Sequence, residues 1–130
     1  MRTAILMLLL AGVSGSAAAA WVELGRDEPE ALTIYTDPTT IRKAENIVRM
    51  WVLFDYKAAR AVGKQTYRSE RAQQEYDCKQ ERVRAICFSD HSENMAKGAV
   101  VFRISMPGDW APVERGSVNE ILGKAACGTQ

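Results

Sequence analysis

The clearest pattern along the chain is an alternation of side chains over residues 47–56, IVRMWVLFDY. The even-numbered positions, from Val48 to Tyr56, are all apolar, whereas the odd-numbered positions include Arg49 and Asp55. Because side chains alternate between the two faces of a strand, this pattern predicts a central antiparallel strand with one buried face. The mixed face is predicted to meet solvent or a partner.

Shorter strand-like stretches lie on both sides of this segment, separated by turn-forming residues such as those at 36–38 and 107–109. The additional predicted strands cover residues 21–26, 32–35, 64–75, 83–88 and 99–105. A turn is expected over residues 58–63, and a polar loop over residues 89–98. Strands of this length at close spacing predict an antiparallel sheet of about five to six strands.

The C-terminal segment has the pattern of a helix. Ser117, followed three residues later by Glu120, forms a capping box. The apolar residues that follow fall along one stripe at helical spacing, namely Val118, Ile121, Leu122 and Ala125. Gly128 suits the position after the last helical residue, so the helix is predicted to end at Cys127. The predicted fold class is α+β, with this helix packed on the antiparallel sheet.

The first twenty residues, MRTAILMLLLAGVSGSAAAA, have the three-part layout of a secretory signal peptide. Arg2 gives a positive start, residues 4–13 form an apolar run, and an A-x-A cleavage site ends at Ala20. The apolar run is well short of the ~20 residues that a membrane-spanning helix needs. We therefore expect residues 1–20 to be a signal peptide that is cleaved after Ala20. Residues 21–130 are expected to form a single exported domain with no membrane span.

The charge balance bears on the class of partner. Arg2 is the only charged residue of the leader, so residues 21–130 contain 16 basic and 16 acidic side chains and are neutral overall. A neutral domain lacks the basic stripe that is typical of nucleic-acid-binding proteins, so no nucleic-acid partner is expected.

Candidate catalytic and metal-binding residues are few. The single histidine, His91, lies beside Asp90 in a predicted loop, but the members of a catalytic triad meet through the fold rather than through the sequence. We therefore expect His91 to be a solvated loop residue. One histidine and three cysteines do not supply the ligands of a typical metal site. The chain is therefore not expected to be an enzyme or to bind a metal or a cofactor.

A basic stretch suggests a partner-binding surface. Lys79, Arg82 and Arg84 are the candidate residues, and with Arg68 and Arg71 they would suit an acidic partner. The alternative is an ordinary solvated strand face, because glutamates are interspersed among these basic residues, as on most soluble surfaces.

Three cysteines allow one disulfide and leave one thiol over. Cys78 and Cys87 would lie ~30 Å apart in one extended strand, whereas a disulfide needs Cα atoms ~4.4–6.8 Å apart. Cys127 is therefore the expected shared partner. The apolar neighbours of Cys87 suit a buried free cysteine. This favours Cys78–Cys127, while Cys87–Cys127 stays open as the alternative.

Several segments together resemble the surface-adhesin protein E-like family of small exported bacterial domains. The segments are TIYTDPTTIRKAENIVRMWVLFDY, YDC, KGAVVFRI and DWAPVERGSVNEILGKAAC. The matching positions are Tyr35 with Asp37, Trp51, Asp77 with Cys78, Met95 with Gly98, Trp110 with Pro112 and Val113, and Cys127. The resemblance implies an antiparallel sheet backed by a C-terminal helix, and a bridge between Cys78 and Cys127.

The resemblance also implies a function. The family's name-giving member is an adhesin for host proteins, so we expect an exported, non-enzymatic protein-binding domain with host extracellular-matrix proteins as candidate partners. The chain lacks that adhesin's lipid-attachment cysteine after the leader, so the alternative is a periplasmic accessory subunit that binds another bacterial protein. Its location is expected to be the periplasm or the cell surface. An unpaired sheet edge also allows a homodimer.

Overall fold

The computed structural model describes residues 19–128. Within that range, strands follow one another through short connections, and an α-helix follows them at the C-terminal end. The strands are β1 (Val22–Asp27), β2 (Leu32–Thr36), β3 (Arg42–Ala44), β4 (Ile47–Val62), β5 (Gln65–Asp77), β6 (Arg82–His91), β7 (Val100–Ile104) and β8 (Ala111–Pro112), and the helix is α1 (Val118–Cys127). The predicted signal peptide lies outside the described residues except at its last two positions, and its cleavage after Ala20 stays a prediction.

Six of the strands form an antiparallel meander in the order β1-β2-β4-β5-β6-β7. Two short strands lie off this path, with β3 paired to β4 and β8 paired to β6. The sheet therefore has eight strands, more than the five to six predicted. The additional strands have three and two residues, which is too short to leave a periodic pattern in the sequence. The antiparallel sheet with a C-terminal helix is as predicted.

The even-numbered residues of β4 form the centre of the core, as the alternation predicts. Met50 and Val52 are completely buried, and Phe54 is 9% exposed. They belong to one cluster with Leu122 of α1, which is also completely buried. Burying a side chain of this size stabilises the fold by roughly 1.5–3 kcal/mol. We call this side of the sheet the helix face, and the opposite side the open face.

Both ends of the helix are as predicted. Ser117 Oγ accepts a hydrogen bond from the backbone N–H of Glu120 at 3.2 Å. The Glu120 carboxylate in turn accepts from the N–H of Gly116 at 3.0 Å, one residue earlier than in an ideal capping box. At the other end, Gly128 has a φ of +81° and donates to the carbonyl of Lys124 at 2.8 Å, which ends the helix at Cys127.

Strand β4 is longer than predicted, because residues 58–62 continue it instead of forming a turn. The turn is confined to the two residues that begin with Gly63, whose φ of +59° is left-handed. Across the extended hairpin, the rings of Tyr56 and Tyr67 meet edge to face with centroids 5.9 Å apart. The predicted turn over residues 58–63 was therefore wrong except at its end.

Strand β6 also runs further than predicted, and this changes the environment of His91. The strand's last three residues pair with β5, and His91 lies opposite Ser69. His91 is 8% exposed. It is a buried residue at a strand end, and its prediction as a solvated loop histidine was wrong, because the pairing with β5 outweighs the polar sequence.

A disulfide joins Cys78, which follows β5, to Cys127, the last residue of α1, with Cα atoms 5.6 Å apart. This is the pairing that the sequence favours. Cys87 is a half-buried free cysteine. In the sheet register it lies opposite Gln73, which lies opposite Trp51 on the open face. Cys87 is therefore outside the core cluster in which the sequence placed it.

Candidate functional site

The open face brings together side chains from neighbouring strands in cross-strand rows. In one row, Leu53 of β4 lies between Tyr35 of β2 and Arg71 of β5, and the row continues to Ser89 of β6. Trp51 begins the next row, two residues earlier in β4. Cross-strand neighbours on one face have Cβ atoms about 4.5–5.5 Å apart, so these rows form one continuous surface.

The connection between β6 and β7 folds over one end of the open face. Asp55 Oδ1 accepts hydrogen bonds from the backbone N–H of Met95 at 2.8 Å and from the Asn94 side chain at 3.1 Å. Ser69 Oγ accepts from the N–H of Ala96 at 2.8 Å and donates to a carbonyl of the same loop at 2.6 Å. These bonds hold the loop over this end of the face, while Arg49, further along β4, stays exposed.

Glu75 of β5 lies between two arginines. Its Oε2 accepts from Arg49 Nη2 at 2.6 Å, and its Oε1 accepts from Arg84 Nη2 at 2.8 Å. The Nε atom of each arginine also donates to the same carboxylate, at 3.1 Å and 2.9 Å. Burial alone would raise the pKa of Glu75, but the two guanidiniums outweigh burial and lower it. Glu75 is therefore a buried carboxylate whose charge is stabilised from both sides.

Trp110 contacts two arginines of β6 next to Glu75. The guanidinium carbons of Arg82 and Arg84 lie 4.8 Å and 4.7 Å from the centre of its ring. Contacts of this kind are electrostatically favourable because the face of an indole ring is negative. Trp110 reaches this position because the following β8 pairs with the start of β6.

Asp77 ends β5 and fixes the turn that leads into β6. Its Oδ1 accepts from the backbone N–H of Lys79 at 3.1 Å and of Gln80 at 3.0 Å. Its Oδ2 accepts from Arg82 Nε at 3.1 Å. The Gln80 N–H is the main cause that lowers the pKa of Asp77, and Arg82 adds to it. This carboxylate therefore positions both the turn and the arginine.

Arg71 stacks on Trp51, with its guanidinium carbon 3.7 Å from the centre of the ring. Among the described residues, no carboxylate forms an ion pair with Arg71. The ion pairs of Glu75 and Asp77, together with the arginine contacts of Trp51 and Trp110, define a patch on the open face that we call the arginine–tryptophan cluster. Its members are Arg49, Trp51, Arg71, Glu75, Asp77, Arg82, Arg84 and Trp110.

The structure places the three residues predicted to bind a partner in two overlapping pairs, Arg82 with Arg84 at one ring and Lys79 with Arg82 in the lining of one groove. Arg82 and Arg84 share the ring of Trp110. Lys79 lies in the turn between β5 and β6 and lines a groove of about 910 Å³ beside the disulfide. Arg68 lies outside the cluster, where its guanidinium donates to the carbonyl of Lys57 at 3.3 Å.

Sequence reasoning missed part of this patch. Arg49 and Trp51 were assigned to the mixed face of β4 but were not proposed as site residues. Their alternation with the apolar positions was a sufficient signal, because it places both side chains on the same face. Trp110 gave no such signal, since its position depends on the two-residue strand β8.

A second group of ionisable residues lies on the helix face. Glu70 of β5 lies opposite Asp90 of β6. Burial first, and then the hydrogen bond and negative charge of Asp90, raise the pKa of Glu70 to about 8. Burial also raises the pKa of Asp90, whose Oδ1 has no hydrogen-bond partner among the described residues. Their hydrogen bond raises the pKa of Glu70 and lowers that of Asp90, so when the pair holds one proton, Glu70 is the member that donates.

His91 lies on the open face near the covered end, with its Nε2 2.8 Å from Ser89 Oγ. A hydrolytic triad needs a carboxylate at the other ring nitrogen. Within residues 19–128, the buried Nδ1 of His91 has no hydrogen-bond partner. Burial lowers the pKa of His91, and the neighbouring Arg71 lowers it further.

No helix among the described residues is both long enough and apolar enough to cross a membrane. The described residues also contain no group of three or more His, Cys, Asp or Glu side chains that could hold a metal ion.

The family described as Surface-adhesin protein E matches the chain over residues 21–128. A search of curated proteins found no match.

Solved structures of protein E from Haemophilus influenzae are similar to this chain. One has a TM-score of 0.60 at 13% identity, with 86% of each chain covered. A second, from non-typeable Haemophilus influenzae, has a TM-score of 0.59 at 12% identity and covers 86% of this chain and 78% of the other. At such low identity, the likeness is one of fold.

Proposed function

The chain belongs to the surface-adhesin protein E family, and on this basis we propose that it is an exported domain that binds proteins as an adhesin does and has no catalytic role. The family match supports an exported surface protein. The partner is a protein, and host extracellular-matrix proteins are the candidates. The Cys78–Cys127 disulfide supports export, because disulfides persist in oxidising compartments outside the cytoplasm.

The observation that carries this proposal is the arginine–tryptophan cluster. It presents arginine and tryptophan side chains together on a sheet face that α1 does not cover, and both residue types are enriched in protein–protein interfaces. Lys79, Arg82 and Arg84 remain the proposed partner-binding residues. Arg49, Trp51 and Arg71 extend that surface across β4 and β5.

A binding assay tests this proposal. Residues 21–130 are produced with the disulfide intact and passed over a panel of immobilised extracellular-matrix proteins. We expect saturable binding that an Arg82→Gln and Arg84→Gln double variant weakens and an Arg68→Gln variant leaves unchanged. Binding no stronger than that of an unrelated exported domain of similar size would contradict the proposal.

Protease shaving of intact cells distinguishes the two locations. A domain displayed on the cell surface is degraded under these conditions, whereas a periplasmic accessory subunit is spared. A spared protein that copurifies with another bacterial protein would favour the alternative function.

The homodimer also stays a proposal. Strand β7 lies at an edge of the meander, and Phe102 and Ile104 on it are 40% and 38% exposed. An unpaired edge of this kind accepts a further strand. Analytical ultracentrifugation tests it, and a mass of one chain at high concentration would argue against pairing.

A further inference from the structure

We propose that the arginine–tryptophan cluster binds an acidic polypeptide segment, and that the Asp and Glu side chains of this segment bind the cluster's guanidiniums. The inference rests on the proposed function, because it specifies the chemistry of the protein partner. The surface involved is the open face around Trp51 and Trp110.

The accessible charge that a partner meets on this face is mainly positive. The cluster contains four guanidiniums and two carboxylates, and the buried carboxylate of Asp37, whose pKa Arg71 helps to lower, offsets a further positive charge, so that a small positive excess is left. The two carboxylates are nearly inaccessible, with the side chains of Glu75 and Asp77 8% and 7% exposed. The side chains of Arg49 and Arg82 are 48% and 38% exposed. A partner that approaches this face therefore meets arginine donors and little negative charge.

The arginine donors of the cluster are held in place before a partner arrives. Glu75 engages the Nε and Nη2 atoms of both Arg49 and Arg84, which leaves the remaining N–H donors of each guanidinium available. Arg71 forms no ion pair among the described residues, and the Trp51 ring orients it. Preorganised side chains lose less conformational entropy when a ligand binds.

The cluster suits carboxylates more than other anions. The cluster already binds a carboxylate, because Arg49 and Arg84 each place two nitrogens on Glu75. This small excess of positive charge suits a segment with a few carboxylates better than a densely charged polyanion such as a sulfated glycan. Trp51 and Trp110 add apolar ring surface, on which the aliphatic parts of a polypeptide pack.

Fluorescence anisotropy tests the proposal with a labelled peptide of alternating glutamate and serine. The matched probe replaces each glutamate by glutamine, which keeps the length and removes the charge. We expect the glutamate peptide to bind at least about tenfold more tightly at low salt, because charge-assisted hydrogen bonds are lost with the glutamine peptide. Its affinity is expected to fall as the salt concentration rises.

Variants of Arg71 test the role of the cluster, because among residues 19–128 no carboxylate forms an ion pair with it, and its charge acts on the fold only by lowering the pKa values of Asp37 and His91. We expect Arg71→Gln to weaken binding of the glutamate peptide about fivefold or more, and Arg71→Lys to have a smaller effect, since lysine keeps the charge but loses the planar stack. Arg68→Gln removes the same charge outside the cluster and is expected to leave the affinity unchanged. Circular dichroism checks that each variant folds.

Each outcome is decisive. Equal affinity for the two peptides, equal effects of Arg71→Gln and Arg68→Gln, or tighter binding of a heparin-derived oligosaccharide than of the glutamate peptide would overturn the inference. The assay also separates this inference from the proposed function. If the protein binds matrix proteins and Arg71→Gln does not weaken this binding, the inference alone is contradicted. If the glutamate peptide binds in a way that depends on Arg71 but no matrix protein binds, the proposed function alone is contradicted.

Discussion

Cys127, the last residue of α1, is bonded to Cys78 in the turn after β5, although the two lie 49 positions apart in the chain. The bond fixes the helix end next to the strand that supplies Glu75 and Asp77 to the open face. Leu122 in the same helix is completely buried against the core. The disulfide therefore links the packing on the helix face to the strand that organises the arginine–tryptophan cluster.

Loss of this disulfide is expected to destabilise the domain strongly. For a loop of this length, the chain-entropy model gives a loss of roughly 4 kcal/mol in the free energy of unfolding. We expect Cys127→Ser to show a loss of this order in urea unfolding followed by circular dichroism. Cys87→Ser, which changes a half-buried free cysteine, is the control and should cost less than about 1 kcal/mol. Similar losses in the two variants would contradict the structural role of the bond.

The pair of Glu70 and Asp90 predicts a pH dependence of stability. The pKa of Glu70 is raised to about 8 in the folded state, against an ordinary value of ~4.3. The folded state therefore binds more protons than the unfolded state between these values. Linkage then requires the contribution of Glu70 to the free energy of unfolding to fall as the pH rises from about 5 to about 8, whereas His91, whose pKa is lowered, contributes with the opposite sign at the acidic end of this range. Urea unfolding over this pH range measures the effect.

Glu70→Gln is the variant that tests this assignment. It keeps a hydrogen-bond donor next to Asp90 but cannot ionise, so we expect a flatter pH dependence and higher stability than wild type near pH 8. Glu30→Gln, at a carboxylate that is 54% exposed in its ion pair with Arg60, serves as the control. A pH dependence of stability that is the same in Glu70→Gln as in wild type would refute the prediction.

Local patterns in the sequence predict those parts of the fold that depend on local physics. The alternation in β4 predicts the buried face around Met50 and Val52, because burial on one face needs only a period of two. The capping residues Ser117 and Gly128 predict both ends of the helix, because they satisfy the free backbone groups there. The sequence alone favoured the Cys78–Cys127 pairing without excluding its alternative, which the structure resolves.

The candidate site depends more on long-range pairing, and the sequence predicts less of it. Arg82 and Arg84 were found from the local cluster of charge. The sequence did not predict their contact with Trp110, because this contact forms only when a segment more than twenty positions away pairs with β6. The burial of His91 was missed for the same reason, since a polar strand end is buried only when its neighbours cover it.

Gly98 is expected to be essential for the loop that covers one end of the open face. Its φ is +80°, and an added Cβ would lie 2.9 Å from Glu93 Cγ and would also clash with Ser92 Oγ. Gly63 has a similar φ of +59° with open space around it, so Gly63→Ala measures the backbone strain alone. We expect Gly63→Ala to cost about 1–2 kcal/mol and Gly98→Ala to cost about 1–3 kcal/mol more. Thermal unfolding of both variants measures the difference, and equal losses would rule out the clash.

The charge of Glu75 is expected to stabilise the open face, because it is buried between Arg49 and Arg84. Glu75→Gln keeps the size of the side chain and removes the charge, so we expect a loss of roughly 1–3 kcal/mol at neutral pH. Because the folded pKa of Glu75 is lowered, its contribution is present above the ordinary value and disappears as the pH falls through the folded pKa. The difference between variant and wild type should therefore shrink below about pH 4.

An exposed ion pair provides the matched control for Glu75. Glu23 and Arg26 of β1 are 44% and 57% exposed, so Glu23→Gln should cost less than about 0.5 kcal/mol. A double-mutant cycle of Glu75→Gln with Arg84→Gln, followed by urea unfolding, isolates the coupling energy. A coupling energy no larger than the control loss would mean that Glu75 only fills space between the arginines. A larger one would mean that the charge of Glu75 itself stabilises the position of Arg84.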